Sequence, residues 1–206
     1  VKTVYLGCNK RLRIAPQTVN ASQQALDTET GSLLVFLPGR GEIETVRRML
    51  QDSLAKRENV QIAPLYGGLP QPEQTLALAP APAGMRKIVL STTLAQTSMT
   101  IEGVRVVIDS GLTRRPRFNP QTGVSRLETV RVSVAAADQR RGRAGRTEPG
   151  ICYRLWAEPE TRALAAQDRP EILETDLSRF AFDLAEWGVA SPDNLAFLDQ
   201  PGEGHF

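Results

Sequence analysis

Eight consecutive residues, Gln139-Arg140-Arg141-Gly142-Arg143-Ala144-Gly145-Arg146, bring together a carboxamide, four guanidinium groups and two glycines. Guanidinium is a planar fork of donors that matches phosphate and carboxylate oxygens. Arg140, Arg143 and Arg146 recur at every third position, which places them along one side of a helix or helix-like turn. The two glycines permit close backbone approach. The pattern predicts several guanidinium groups facing one polyanion. The competing reading is a solvated basic helix end, and it must tolerate two interior glycines at about 1 kcal/mol each relative to alanine.

A second segment, Ser91-Thr92-Thr93-Leu94-Ala95-Gln96-Thr97-Ser98-Met99-Thr100-Ile101-Glu102-Gly103, is rich in hydroxyls and follows an apolar run. Hydroxyls and backbone N–H groups at the end of a buried strand can hold phosphate oxygens without reading bases. The same composition also makes turns and helix caps. Other chemistries lack their residues. No glycine precedes Lys2, Lys10, Lys56 or Lys87, so no G-x-x-x-x-G-K-[ST] phosphate loop occurs. Cys8, Cys152 and His205 do not make a zinc set, no metal site is expected, and the two thiols are expected to be free and buried. Asp109 is expected to cap or hydrogen-bond structurally. Gly39-Arg40-Gly41 is too short for a dinucleotide fingerprint.

These segments need a frame, and the apolar pattern predicts one. Leu33-Leu34-Val35-Phe36-Leu37 reads as a buried strand, Pro38-Gly39-Arg40-Gly41 breaks it, and Ile43, Val46, Leu50 and Leu54 then follow at helical spacing. The unit recurs, with strands expected at 60–65, 87–90, 104–108 and 151–155 and helices at 16–27, 70–79 and 135–144. Strands that are apolar along their length and alternate with helices predict an α/β fold, a mostly parallel sheet with helices on both faces. Ligands in such sheets bind at the carboxyl ends of strands, which directs attention to residues 38–41, 92–100 and 142–145. Residues 112–118 and 124–132 flank Asn119-Pro120-Gln121-Thr122-Gly123 and read as a projecting hairpin carrying Arg114, Arg115, Arg117, Arg126 and Arg131. Near the C-terminus, Leu177, Phe180, Leu184 and Trp187 form a stripe expected to be core.

Composition sets the bounds. The chain has 206 residues, 41% hydrophobic and 23% charged, which suits one globular domain and the beginning of another. Net charge is only +2, but arginine outnumbers lysine 21 to 4. No run approaches the roughly 20 apolar residues of a membrane span, no signal peptide is evident, and a cytoplasmic location is expected.

Taken in order, Leu34-Val35-Phe36-Leu37-Pro38-Gly39, Pro64-Leu65-Tyr66-Gly67-Gly68-Leu69-Pro70, the 91–103 segment and the 139–147 segment resemble motifs IV, V and VI, with their flanks, of superfamily 2 helicases of the DEAH/RHA group. The likeness covers about residues 31–187 and the second RecA-like domain of that family. The stretch from Val106 to Thr129 is especially similar to a bacterial branch. The resemblance implies residues 1–30 as a lead-in from the first motor domain, 31–160 as the second RecA-like domain and 161–206 as the start of a winged-helix domain. It implies that Gln139 positions the attacking water or the γ-phosphate and that Arg143 and Arg146 are arginine fingers. Ser98 and Thr100 would sense nucleotide state and Glu102 would approach the ribose, Thr92 and Thr93 would touch the RNA backbone, Arg115 and Arg117 would also bind RNA, and the hairpin would separate strands.

The implied ligands are ATP with Mg2+, the metal held mainly by the first RecA-like domain, and single-stranded RNA, with DNA left open. With no phosphate loop or DEAH box of its own, this stretch is expected not to hydrolyse ATP alone. Thr93 and Gln96 stand where the family commonly has Asn and Glu, and Arg141 replaces a usual small residue. The rival readings are a non-catalytic nucleic-acid-binding module using the basic segments as an electrostatic surface, and a small-molecule α/β enzyme, for which no base, nucleophile or metal set is visible.

Overall fold

A computed structural model describes residues 1–7, 13–96, 101–119, 121–146, 148–189 and 191–201. In chain order the elements are β1 (Lys2–Tyr5), α1 (Ile14–Thr28), β2 (Ser32–Phe36), α2 (Arg40–Ser53), β3 (Val60–Leu65), α3 (Gln71–Leu78), β4 (Arg86–Ser91), β5 (Val104–Asp109), β6 (Leu112–Asn119), β7 (Val124–Arg131), α4 (Val134–Gly142), β8 (Ile151–Arg154) and α5 (Ser178–Glu186). Short 3-10 turns lie between several of them, notably Thr93–Gln96 and Arg143–Gly145. Six strands form one sheet in the order β1-β8-β5-β2-β4-β3, and every neighbouring pair is parallel. The α/β class follows as expected.

The uninterrupted apolar runs have a direct cause, because the sheet is buried on both faces. In β2, Leu33 and Val35 join a core with Val19 and Leu26 of α1 and Ile43, Val46 and Leu50 of α2. Leu34 and Phe36 face the opposite core, with Ala77 of α3, Ala95 and Ala144. Each large side chain buried this way contributes about 1.5–3 kcal/mol. Pro16 sits in the first turn of α1, where a missing N–H leaves no helical bond unmade.

At the start of β4, neighbouring cations each close a helix C-terminus. Arg86 donates from Nε to the Gly31 carbonyl at 2.7 Å and from Nη1 to the Leu26 carbonyl at 2.8 Å, beside the end of α1. Lys87 is 1% exposed, and its ammonium donates to the carbonyls of Leu76 at 2.7 Å and Ala79 at 2.5 Å, at the end of α3. Carbonyls at a helix end have no intrahelical donor and carry partial negative charge, so a cation satisfies both needs. Burial pushes the Lys87 pKa down.

The expected lead-in, residues 1–30, supplies β1, paired with β8 from Lys2↔Ile151 onward, and α1. By internal contacts the chain divides into residues 1–113 with 131–167, and residues 114–130 with 168–206. The first unit holds the six-stranded sheet and α1 to α4. The second holds most of the hairpin, which forms its own two-stranded sheet, and α5. In α5 the expected core stripe is only partly inside: Leu184 is 2% exposed, Leu177 and Phe180 are half-buried, and Trp187 is 78% exposed. Trp187 closes α5, its N–H donating to the Asp183 carbonyl at 3.3 Å and the Leu184 carbonyl at 3.1 Å. Among the described residues no helix is long and apolar enough to cross a membrane.

Candidate functional site

Helix α4 begins at Ser133, whose hydroxyl accepts the Ala136 N–H at 3.0 Å, and it tightens after Gly142 into the 3-10 turn Arg143–Gly145. Arg140 and Arg141 in its last turn offset the negative helix end. The inner face of α4 is Ala136, Ala137 and Arg140, all buried. Arg140 is completely enclosed, which corrects the expectation that it faces a polyanion beside Arg143 and Arg146. Its Nη1 donates to Asp109 Oδ1 at 2.7 Å and to the Leu112 carbonyl at 3.2 Å. Its Nε donates to Gln96 Oε1 at 3.2 Å, and its guanidinium carbon lies 5.0 Å from the centre of the Phe36 ring. The physical reason is Asp109, a carboxylate at the end of β5 with no exposed surface, which a buried cation must neutralise. Asp109 also accepts the Gly111 N–H at 2.9 Å, the structural role anticipated for it.

Gln139, Arg143 and Arg146 do come together. With Gln96 and Gly142 they line a surface recess of about 350 Å³. Gln139 and Arg146 are exposed, whereas Arg143 is 9% exposed and donates from Nε, at 3.0 Å, and from Nη2 to the Gln96 backbone carbonyl. Burial, and secondarily the charge of Arg146, lowers the Arg143 pKa. Two close cations, with no carboxylate among the described residues of the lining, make the recess a place for an anion.

Gln96, noticed in the sequence only as a departure from the family pattern, is the hub. Its side chain joins Gln139 and Arg140, and its carbonyl holds Arg143. The signal missed was its position at the end of a hydroxyl-rich turn, where a carboxamide that is 9% exposed must find partners on both of its ends.

The glycines divide differently from the expectation of close approach at both Gly142 and Gly145. A Cβ on Gly142 would meet nothing within 4 Å, while one on Gly145 would lie 2.3 Å from Cγ2 of Val1. The tightest position is Gly150, where a Cβ would stand 1.8 Å from the Ala144 carbonyl oxygen and 2.6 Å from that of Arg105. Val1 precedes β1, Arg105 is the second residue of β5 and Gly150 precedes β8, so the chain past Arg143 runs down the sheet face to the amino ends of the strands. The 142–145 segment therefore does not cap the carboxyl edge.

In the segment after β4, Thr92 is half-buried. Its N–H donates to the Leu65 carbonyl at 3.3 Å, and its hydroxyl accepts the Leu94 N–H at 3.5 Å. Thr93 is exposed at the head of the 3-10 turn, and Glu102 is exposed in the turn before β5. Ser98 and Thr100 lie outside the described residues, as do Cys8 and His205. Arg141 pairs with Asp138 at 3.5 Å. In the second unit, Arg115 is paired with Asp168 and, at 3.9 Å, with Glu174. Arg117 is 74% exposed and meets Glu128 at 3.2 Å. Cys152 is free and enclosed, its thiol pushed up to about 12 by burial and then by the charge of Asp109.

Residues 17–148 match the family model described as helicase conserved C-terminal domain. The ATP-dependent RNA helicase HrpB of Escherichia coli strain K12 is 46% identical over 201 residues, 98% of this chain and 25% of that protein. The probable ATP-dependent RNA helicase DHX34 of Mus musculus is 40% identical over 173 residues, 84% of this chain and 15% of its own length. The crystal structure of the Escherichia coli DEAH/RHA helicase HrpB superposes with a TM-score of 0.94 at 45% identity, over 100% of this chain and 26% of that one. The chain thus spans about a quarter or less of these relatives.

Proposed function

Since the chain belongs to the helicase conserved C-terminal domain family, we propose that it is the second RecA-like domain of a DEAH-type ATP-dependent RNA helicase, with residues 161–206 opening its winged-helix domain. In this reading ATP lies between two RecA-like domains, and this one contributes Gln139, Arg143 and Arg146. The observation that carries it is the recess at the end of α4, where those three side chains converge with no carboxylate among the described lining residues. Such a lining suits phosphate oxygens and does not suit a divalent cation, which requires oxygen ligands. Mg2+ is accordingly assigned to the first RecA-like domain.

When the triphosphate enters, Arg143 exchanges the Gln96 carbonyl for a phosphate oxygen, and Arg146 approaches from the solvent side. Both neutralise charge developing on the transferred phosphoryl group. Ser98 and Thr100 are assigned to nucleotide sensing and Glu102 to the ribose. Thr92 and Thr93 grip single-stranded RNA through its backbone, as do Arg115 and Arg117 of the hairpin. DNA is admitted by the same backbone contacts, since none of them reads a base. Opening and closing of the interdomain cleft shifts the grip along the strand.

The test is ATP turnover, with RNA present, of the intact helicase chain carrying Arg143→Ala or Arg146→Ala. Each variant is expected to lose roughly a hundredfold or more, as removal of an arginine finger does elsewhere. Near-normal turnover in both would return these residues to the role of an electrostatic surface.

A further inference from the structure

Besides the two cores that cover the sheet, the first unit holds a third and smaller one. Trp156, two residues past β8, packs there with Val132, Ala136 and Ala137, and Tyr5 and Leu164 lie against them. Trp156 is completely enclosed. Its Nε1 donates to the Thr161 hydroxyl at 3.0 Å, and the Tyr5 ring meets it at 77°, with centres 6.2 Å apart. Held at its polar end and packed against a second ring, the indole is fixed in orientation.

Both roots of the β6–β7 hairpin rest on that ring. Gly111, the residue before β6, has a φ of +71°, and a Cβ on it would stand 2.7 Å from Cε3 of Trp156, so only glycine lets the backbone lie this close. Arg131, the last residue of β7, holds its guanidinium carbon 5.6 Å from the centre of the ring. The Val132 N–H ties the two roots together by donating to the Gly111 carbonyl at 3.0 Å. Arg140 secures the first root again, through the Leu112 carbonyl at 3.2 Å. All of these residues belong to the first unit, whereas residues 114–130 belong to the second. The chain thus enters and leaves the hairpin across one indole.

We infer that Trp156 is a positioning residue for strand separation: it seats both roots of the hairpin, so that the hairpin holds its place while paired RNA is drawn against it. This rests on the proposed helicase reading and on the part in strand separation that the family resemblance implies for the hairpin. A hairpin that opens a duplex must not yield as one strand is pulled past it, because a root that gives way lets the duplex follow unopened. ATP turnover makes no such demand. None of the residues at the root is among those that line the recess, and α4 keeps its Ser133 cap and its Arg140–Asp109 pair without the indole. Loss of the seat therefore leads to hydrolysis without unwinding.

Two variants of the intact helicase chain test this. Trp156→Leu removes the ring yet leaves an apolar side chain against Ala136 and Ala137. Gly111→Ala leaves the ring and pushes the first root off it. In both, the Val132 amide should exchange with solvent about tenfold faster, because it joins the roots. ATP turnover with single-stranded RNA should stay close to that of the wild type, while base pairs opened per ATP on an RNA duplex with a single-stranded overhang should fall about tenfold or more, as misplacement of a working group does elsewhere. Unchanged pairs per ATP in either variant overturns the inference. So does wild-type protection of Val132, or a parallel fall in turnover and unwinding, which marks a general loss of the fold. Should Trp156→Leu not fold, Gly111→Ala decides alone. Val46→Ala, in the core under α2, lowers Tm away from the root and should leave pairs per ATP unchanged. A fall there equal to that of the root variants also overturns the inference. Failure of the underlying reading has a different signature: a chain whose hairpin is cut back to its root opens as many pairs per ATP as the wild type, or the wild type opens none. Either result removes the hairpin from strand separation, and the role of Trp156 with it.

Discussion

Arg140 and Arg143 are the same residue type three positions apart, yet one is interior structure and the other lines the recess. Replacing Arg140 by Met would leave the Asp109 carboxylate enclosed and unpaired. Breaking one side of such a pair costs about 3–5 kcal/mol, and a large fall in Tm is expected. The double variant Asp109→Asn/Arg140→Met should recover part of the loss, which thermal unfolding of the single and double variants will show. Cys152 gives a pH signature. The folded protein keeps the thiol proton to about 12, while an unfolded chain releases it near the ordinary 9.0. A raised folded pKa means the contribution is complete below pH 9 and is lost as pH rises towards 12, at about 1.4 kcal/mol per pH unit. Urea unfolding of the wild type and Cys152→Ala should show the stability difference shrinking across that window, and a constant difference would contradict it. At this scale the sequence made Gln139, Arg143 and Arg146 legible, because a cluster of donors around glycine is local. It did not reveal which arginine turns inward, since that depends on Asp109, 31 positions away. Nor did it reveal Gln96, whose carboxamide partner is 43 positions away.

The secondary-structure elements were the most legible level, because a strand buried on both faces and a helix with one apolar stripe write distinct periods into the chain. The segment 33–37 and the Ile43, Val46, Leu50 stripe give β2 and α2 directly. What the periods omit is how elements end. Lys87 reads as the first residue of a buried strand, and its service to the carbonyls of Leu76 and Ala79 appears only in three dimensions. Lys87→Met should leave those carbonyls without their donor and cost about 2 kcal/mol. Amide hydrogen exchange should show the end of α3 opening more readily, and unchanged protection there would contradict the capping role. Gly150 was likewise silent, since its need comes from the Ala144 carbonyl beneath it and not from a turn. Gly150→Ala should destabilise the descent from α4 into β8, whereas Gly142→Ala, facing open space, should be tolerated.

For the whole molecule, net charge is close to neutral, so attraction to a polyanion must come from where the arginines sit. The pair of Arg117 with Glu128 is exposed and therefore weak, easily exchanged for a phosphate. Arg117→Ala is expected to weaken RNA binding evenly across sequences and to reduce the salt dependence of affinity by about one phosphate contact. An unchanged slope would remove Arg117 from the RNA path. The sheet class was readable from the order of periods. The grouping of residues 114–130 with 168–206 was not, because it depends on long-range contacts such as that of Arg115 with Asp168.

In the proposed function the recess beside Arg143 and Arg146 serves the transition state of phosphoryl transfer. Affinity of the intact helicase chain for ADP alone and for ADP with aluminium fluoride, which mimics the transferring phosphoryl group, measures it most directly. Arg146→Ala is expected to lose far more affinity for the aluminium fluoride complex than for ADP, because a finger acts on charge that develops only during transfer. Equal losses for the two ligands, or none for either, would contradict it.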